Sequence, residues 1–250
     1  MFEVLDNKKN YYNENKYKIS KKLVADINKD FVLKFTNDTT KIEGNTMNYY
    51  ESKTVLEDGY AIGGKSLQEH FELINSKKAF EFVESFSDDF SENFIKDIHE
   101  ILMSNIFAGG IYRTTNVRIG GANTIPPSWE HVREDMKFFI SDFNNKKDEM
   151  HPIELACWVH AEFVRMHPFI DGNGRTARLL MNYILMSFGF LPISIKPSIV
   201  SEYYSSLDDF GCGGNLNNFV KLVFRLEEER LDEYINEIDA TQKVSKMDLV

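Results

Sequence analysis

With only two cysteines in 250 residues, Cys157 and Cys212, the chain cannot build a disulfide framework. That excludes the small secreted scaffolds held together by cross-links. Proline numbers six, so no Pro-rich linker cuts the chain, and neither internal repeats nor low-complexity tracts are present. Cations are outnumbered 39 to 29, for a net charge of −10. Binding along nucleic acid or an anionic membrane needs clustered Lys and Arg, so neither partner is expected. The start, Met1-Phe2-Glu3-Val4, lacks the basic-then-apolar pattern of a signal peptide. The most apolar stretch, Leu179 to Ile195, is broken by Asn182, Gly189 and Pro192, which makes it a core helix and its exit rather than a membrane span. A reducing cytoplasm is the expected compartment.

What is present is helical periodicity. Leu23, Val24, Ile27, Phe31 and Val32 recur at helical spacing in residues 1–35, which read as an N-terminal helical extension. Thr39 to Asn45 reads as a short turn, with Asp38 or Thr39 as cap and Gly44 as left-handed stop, followed by a helix over 49–58. Ser66 (or Lys65) and Ser91 are placed to cap two long amphipathic helices, the second of which carries His99 as a core or helix-surface histidine. Ser128 begins another, and Pro152 opens the helix that leads to His167. Helices over 199–210 and from Leu216 to about Ala240 close the chain, with a polar tail over 241–250. Only 109–127 reads as extended: Tyr112, Thr114, Val117 and Ile119 favour strands, Gly120-Gly121 turns, and Pro126-Pro127 stops. The expected fold is all-α, one domain over residues 36–240, with a single β-hairpin lying on it.

The chemistry concentrates in His167-Pro-Phe-Ile-Asp-Gly-Asn-Gly-Arg-Thr-Ala-Arg178. The apolar run that follows predicts a helix, so Gly172-Asn173-Gly174 falls at its N-terminus, where unpaired N–H groups favour an anion. Arg175 and Arg178 lie three apart on its first turn, and guanidinium forks suit phosphate oxygens. Asp171 is a hard oxygen ligand suited to Mg²⁺ beside phosphates. His167 has the side chain able to take a proton near neutral pH. Each feature alone is commonly a turn or a solvated helix face. Together, six suited residues in twelve positions read as a nucleotide-phosphate site with a base.

This segment resembles, at every defining position, the Fic family signature His-x-Phe-x-(Asp/Glu)-Gly-Asn-Gly-Arg-x-x-Arg. The resemblance implies a Fic-type helical domain that transfers AMP from ATP, with Mg²⁺, to a Tyr, Thr or Ser hydroxyl of a target protein and of itself. It implies His167 as base, Asp171 as metal ligand, and Gly172, Asn173, Gly174, Arg175 and Arg178 as the nucleotide-phosphate site. Tyr204 resembles a position lying against adenine, although Gly211 stands where family members often carry Asn. The segment 109–127 resembles the family's β-hairpin flap, with Thr115, Val117 and Ile119 as the edge that docks a target strand. Thr39-x-x-x-Glu43-Gly44 resembles an inhibitory motif in which Glu43 competes with phosphate for Arg178. A homodimer is compatible with the family pattern.

Other readings stay open at this point. A non-catalytic nucleotide-sensing module closed by Glu43 fits the same residues, as does a Fic enzyme whose main activity is AMP removal. A metal hydrolase assembled from His151, His160, His167 and Asp171 lacks His-Glu-x-x-His or Cys–His spacing. A phosphorylating relative of the Doc type has Lys where this chain has Gly174.

Overall fold

The computed structural model describes residues 1–247, with side chains as far as Gln242. Ten α-helices account for most of it. They are α1 (Phe2–Asn15), α2 (Lys21–Ile42), α3 (Tyr49–Lys53, continued by a π turn Thr54–Asp58), α4 (Leu67–Ser85), α5 (Glu92–Met103), α6 (Val132–Lys146), α7 (Pro152–Met166), α8 (Asn173–Ser187), α9 (Val200–Gly211) and α10 (Asn217–Met247). Several begin where the sequence places a cap. Ser66 and Ser91 accept the amides of Glu69 and Phe94, the former in a complete capping box, and Pro152 is the first residue of α7. The closing helix runs on through residue 241 to Met247, and the last three residues of the expected tail lie outside the described residues.

The core is centred on α7 and α8, which pack against each other and are covered by α2, α4, α5, α6, α9 and α10. Leu155, Ala156, Val159 and Phe163 from α7 meet Leu180, Met181 and Leu185 from α8, all essentially without solvent contact. This pairing matters for function because the loop between the two helices, residues 167–172, is held at both ends by the most deeply buried part of the molecule. Among the described residues no helix is long and apolar enough to cross a membrane.

Two expectations are corrected by the architecture. First, the segment 109–127 contains no strand, so the β-hairpin is absent. Its strand-favouring side chains have no partner strand, and a lone hairpin is marginal in water. Backbone and side-chain groups of other elements satisfy its backbone instead. The Arg113 amide donates to Pro168 O (2.9 Å), and the Asn123 and Thr124 amides both donate to Asp208 Oδ1 (2.8 Å each). The segment is a tied loop with a turn at Ile119–Ala122. Second, Thr39 does not start a separate turn. α2 runs unbroken from its Ser20 cap through Ile42, across the expected boundary at residue 35. Buried Thr40 bonds back to Thr36 O (2.9 Å) inside that helix, a back-bond that satisfies a mid-helix threonine. Gly44, at φ 101°, does end it.

Candidate active site

His167 is the C-cap of α7, in the left-handed region at φ 49°, ψ 58°. Its amide continues the helix to Phe163 O (3.0 Å) while its ring Nδ1 lies 3.1 Å from Val164 O. A carbonyl only accepts, so Nδ1 carries the ring proton and Nε2 keeps its lone pair. Burial lowers the pKa of the ring below its ordinary value, the Val164 bond opposes that, and the charge of Arg113 lowers it further. The imidazole is therefore neutral at pH 7 and lines a cavity of about 740 Å³ together with Glu43, Gly174, Arg178, Ile119 and Tyr204.

The loop after His167 is stiffened from within. Asn173 accepts the Phe169 amide through Oδ1 and returns Nδ2–H to Phe169 O, both at 2.9 Å, so its side chain is spent on the loop. Phe169, fully buried, stacks on His99 at 3.7 Å. His99 in turn donates Nε2–H to Asp171 O (2.9 Å) and accepts the Gly110 amide at Nδ1 (2.9 Å). It is 1% exposed and burial pushes its pKa down to about 4, so it stays neutral and keeps both bonds. Sequence periodicity shows His99 only as a core or helix-surface histidine. Its bridge between two loops has no signal short of the fold.

Arg113 is the second residue that sequence reading passes over. It is 3% exposed, and its guanidinium donates to His167 O (2.8 Å), Thr115 O (3.0 Å), Pro127 O (2.6 Å) and, at 3.4 Å, Met166 O. One buried cation thus ties both ends of the 109–127 segment to the backbone at His167. Of the three residues expected at its edge, Thr115 is exposed, Val117 half-buried, and Ile119 half-buried on the cavity wall.

No side chain caps α8. The first intrahelical bond is Thr176 N–H to Gly172 O (3.0 Å), so the amides of Asn173, Gly174 and Arg175 are left over at its N-terminus. Asp171 spends Oδ1 on the Gly172 amide (2.6 Å), and its Oδ2 is 3.3 Å from Arg175 Nη2. Arg175, 2% exposed, has Nε and Nη1 buried without a partner among the described residues. Arg178 is fully committed: Nε to Thr39 Oγ1 (2.7 Å), Nη2 to Thr39 O (3.1 Å) and to Glu43 Oε1 (2.6 Å), and Nη1 to Tyr203 Oη (3.3 Å). Burial opposes its charge, but Tyr203 and Glu43 outweigh burial and raise its pKa. The three residues read as an inhibitory motif, Thr39, Glu43 and Gly44, are therefore assembled on Arg178, Gly44 by ending the helix that aims the other two.

Tyr204 borders the cavity, half exposed, with its hydroxyl 3.3 Å from Ile42 O. Gly211 has no room for the asparagine often found there, because a Cβ would overlap the Thr124 side chain. His151 and His160 do not join the site. His151 stacks on Phe2 near Asp6, and His160 is wholly buried against Tyr203. No group of three or more His, Cys, Asp or Glu among the described residues is set to hold a metal, and the hydrolase alternative has no ligand set.

A buried neutral imidazole beside an uncapped helix N-terminus and two arginines is an arrangement suited to binding an anion next to a proton acceptor. Comparison with known proteins agrees. Residues 89–185 match the Fic/DOC family. The chain is 37% identical over 206 residues to protein adenylyltransferase fic-1 of Caenorhabditis elegans, covering 79% of this chain and 40% of that protein. It is 36% identical over 201 residues to protein adenylyltransferase Fic of Nematostella vectensis, covering 78% and 46%. The structure of Fic-1 from C. elegans, amino acids 134 to 508, superposes with TM-score 0.83 at 30% identity, over 94% of this chain and 70% of that one. A Fic domain containing signaling protein from Bacteroides thetaiotaomicron superposes with TM-score 0.81 at 25% identity, over 95% and 97%. The chain belongs to the Fic/DOC family. It spans less than half the length of the curated relatives it matches.

Proposed function

We propose that this chain is a protein adenylyltransferase that moves AMP from ATP to a hydroxyl side chain (Tyr, Thr or Ser) of a target protein or of itself, held in check by Glu43. One observation carries the proposal. The proton-free Nε2 of His167 and the Gly174–Arg178 face share a single cavity, so a base and an anion seat serve one ligand. The relatives named protein adenylyltransferase give the direction of the chemistry.

In this mechanism the target hydroxyl gives its proton to His167 Nε2 as its oxygen attacks the α-phosphorus, and the bond to the β-phosphate oxygen breaks to release pyrophosphate. General-base help of this kind contributes typically ~10²–10⁴-fold. The amides of Asn173 to Arg175, and the unspent Nε and Nη1 of Arg175, support the charge on the phosphates. Tyr204, on the cavity wall, is assigned to the adenine, and the loop 109–127 to the target. With the hairpin absent, Ile119 and its neighbours present a tied loop rather than a ready strand. The exposed Asp171 carboxylate, although also bonded by the Gly172 amide and Arg175, is the group that would hold Mg²⁺, which keeps waters and takes one or two carboxylates plus substrate phosphates. When bound, Mg²⁺ neutralises phosphate charge. Arg178 is assigned to the terminal phosphate, for which Glu43 is the competitor.

α-labelled and γ-labelled ATP separate the alternatives. Label on protein from the α position alone, lost in His167→Ala while ATP still binds, is the expected result. Label from the γ position, or retained transfer in His167→Ala, overturns it. The contact between Glu43 and Arg178 also keeps a carboxylate on the cavity wall, which favours AMP removal as a second activity; release of label from AMP-modified protein, lost in Glu43→Gly, tests that.

A further inference from the structure

Arg178 is gripped from two directions that belong to different parts of the fold. Thr39 and Glu43 come from α2 and its C-cap, the remaining contact from α9. A guanidinium can only donate, so the Tyr203 oxygen accepts from Nη1 (3.3 Å) and its own proton must go elsewhere. It goes to Nε2 of His160 on α7, 2.9 Å away. That fixes the His160 tautomer: Nε2 holds the lone pair and Nδ1 the proton. Nδ1 is buried with no partner among the described residues. Such orphans are rare and call for a reason. Here the near side of the ring orients the Tyr203 hydroxyl and the far side goes unserved. Burial and the nearby charge of Arg178 keep the ring neutral, which preserves this arrangement.

Tyr203 is 1% exposed, with Phe219 at 5.9 Å and the His160 ring edge-on at 5.5 Å, so its ring packs against α10 and α7. If the end of α2 shifts to withdraw Glu43, the Thr39 contacts travel on the same helix. The hold from α9 and α7 does not.

We propose that Tyr203, oriented by His160, is a positioning residue that keeps Arg178 aimed at its anionic partner whether that is Glu43 or nucleotide phosphate. The proposal rests on the reading of Arg178 as the terminal-phosphate arginine. It makes Tyr203, 1% exposed at the wall of the same cavity, a determinant of affinity for triphosphate over monophosphate through its bond to Arg178.

Calorimetric binding of ATP and of AMP to full-length protein in a Glu43→Gly background tests this without relying on transfer. Loss of one hydrogen bond to a charged group predicts that Tyr203→Phe weakens ATP about tenfold and AMP by less than about twofold. His160→Leu is expected to match it. His160→Gln, whose amide oxygen replaces the acceptor, is expected to restore the ATP preference. The double change Tyr203→Phe with His160→Leu is expected to be no worse than either single change. Equal loss of ATP and AMP binding would reduce Tyr203 to packing and overturn the proposal. Should Arg178→Ala erase the ATP preference while Tyr203→Phe leaves it, the positioning role falls and the phosphate role of Arg178 stands. If Arg178→Ala leaves the preference intact, both fall together.

Discussion

A Cβ on Gly174 would stand 2.5 Å from Glu43 Oε1, and the backbone there is ordinary helix. The Glu43 carboxylate therefore rests on the second residue of α8, where a negative group is favoured by the helix N-terminus. Gly174→Ala does not strain the backbone but must push that carboxylate aside. We expect the substitution to destabilise the wild type by about 1 kcal/mol more than it destabilises a Glu43→Gly background, the coupling expected of residues in contact. Denaturant melts of the four proteins measure it, and additivity would show that the carboxylate moves freely.

Under the proposed autoinhibition, removing Glu43 takes the carboxylate partner from Arg178 Nη2. Glu43→Gly is expected to raise α-label incorporation into the protein itself and into target by at least about tenfold, which is 1.36 kcal/mol of barrier. The pair is partly open to solvent, with Glu43 27% exposed, so its loss should cost only about 1 kcal/mol of stability. Thr39→Ala, which deletes the Nε acceptor, should activate more weakly. Wild-type rates for Glu43→Gly at saturating Mg-ATP would make Glu43 a helix-end residue and nothing more.

The clamp at His99 has a pH signature. Its pKa, about 4 in the fold against 6.5 ordinarily, means that the unfolded chain binds more protons between those values. Stability is then complete above pH 6.5 and falls as pH drops toward 4, by about 3 kcal/mol from this group at 1.36 kcal/mol per unit. Burial of His160 acts in the same direction. Denaturant midpoints from pH 7 to 4 should show the decline, and His99→Gln should be less stable at pH 7 yet flatter across the range. An unchanged slope would mean that another group governs it.

Helix positions were legible from spacing and caps because those signals are local, as Ser66, Ser91 and Pro152 show. The residues assigned to the candidate site drew attention for a different reason, since one helix N-terminus gathers them within twelve positions. The loop 109–127 was not, because its strand-favouring Val117 and Ile119 are outweighed by ties from Asp208 and Arg113 that only the fold creates. Thr39 read as a cap because threonine caps are common, whereas burial makes it an interior residue facing Arg178. Gly211 marked a missing asparagine, and Thr124 explains why none would fit.

Asp208 latches that loop to α9, taking the amides of Asn123 and Thr124, the Asn123 side chain and the Thr124 hydroxyl, all at 2.8 Å. These bonds, the Thr124 hydroxyl foremost, pull its pKa down to about 2, so the latch persists across the physiological range. Asp208→Ala, made with Glu43→Gly, is expected to raise KM for a protein target several-fold while changing ATP affinity less. Equal effects on both would place the latch in the nucleotide site instead.

Because α2 is one uninterrupted rod of 22 residues, at ~1.5 Å per residue it is ~33 Å long, and Glu43 is its tip. Its near end begins at Ser20, far in sequence from the cavity, yet a rod transmits tilt along its whole length. The same small rotation that would be lost in a hinged linker is largest at the tip. Thr39 and Glu43 therefore share one hinge-free element, so a tilt of that end would carry both of their contacts to Arg178 together, while the Tyr203 contact belongs to α9.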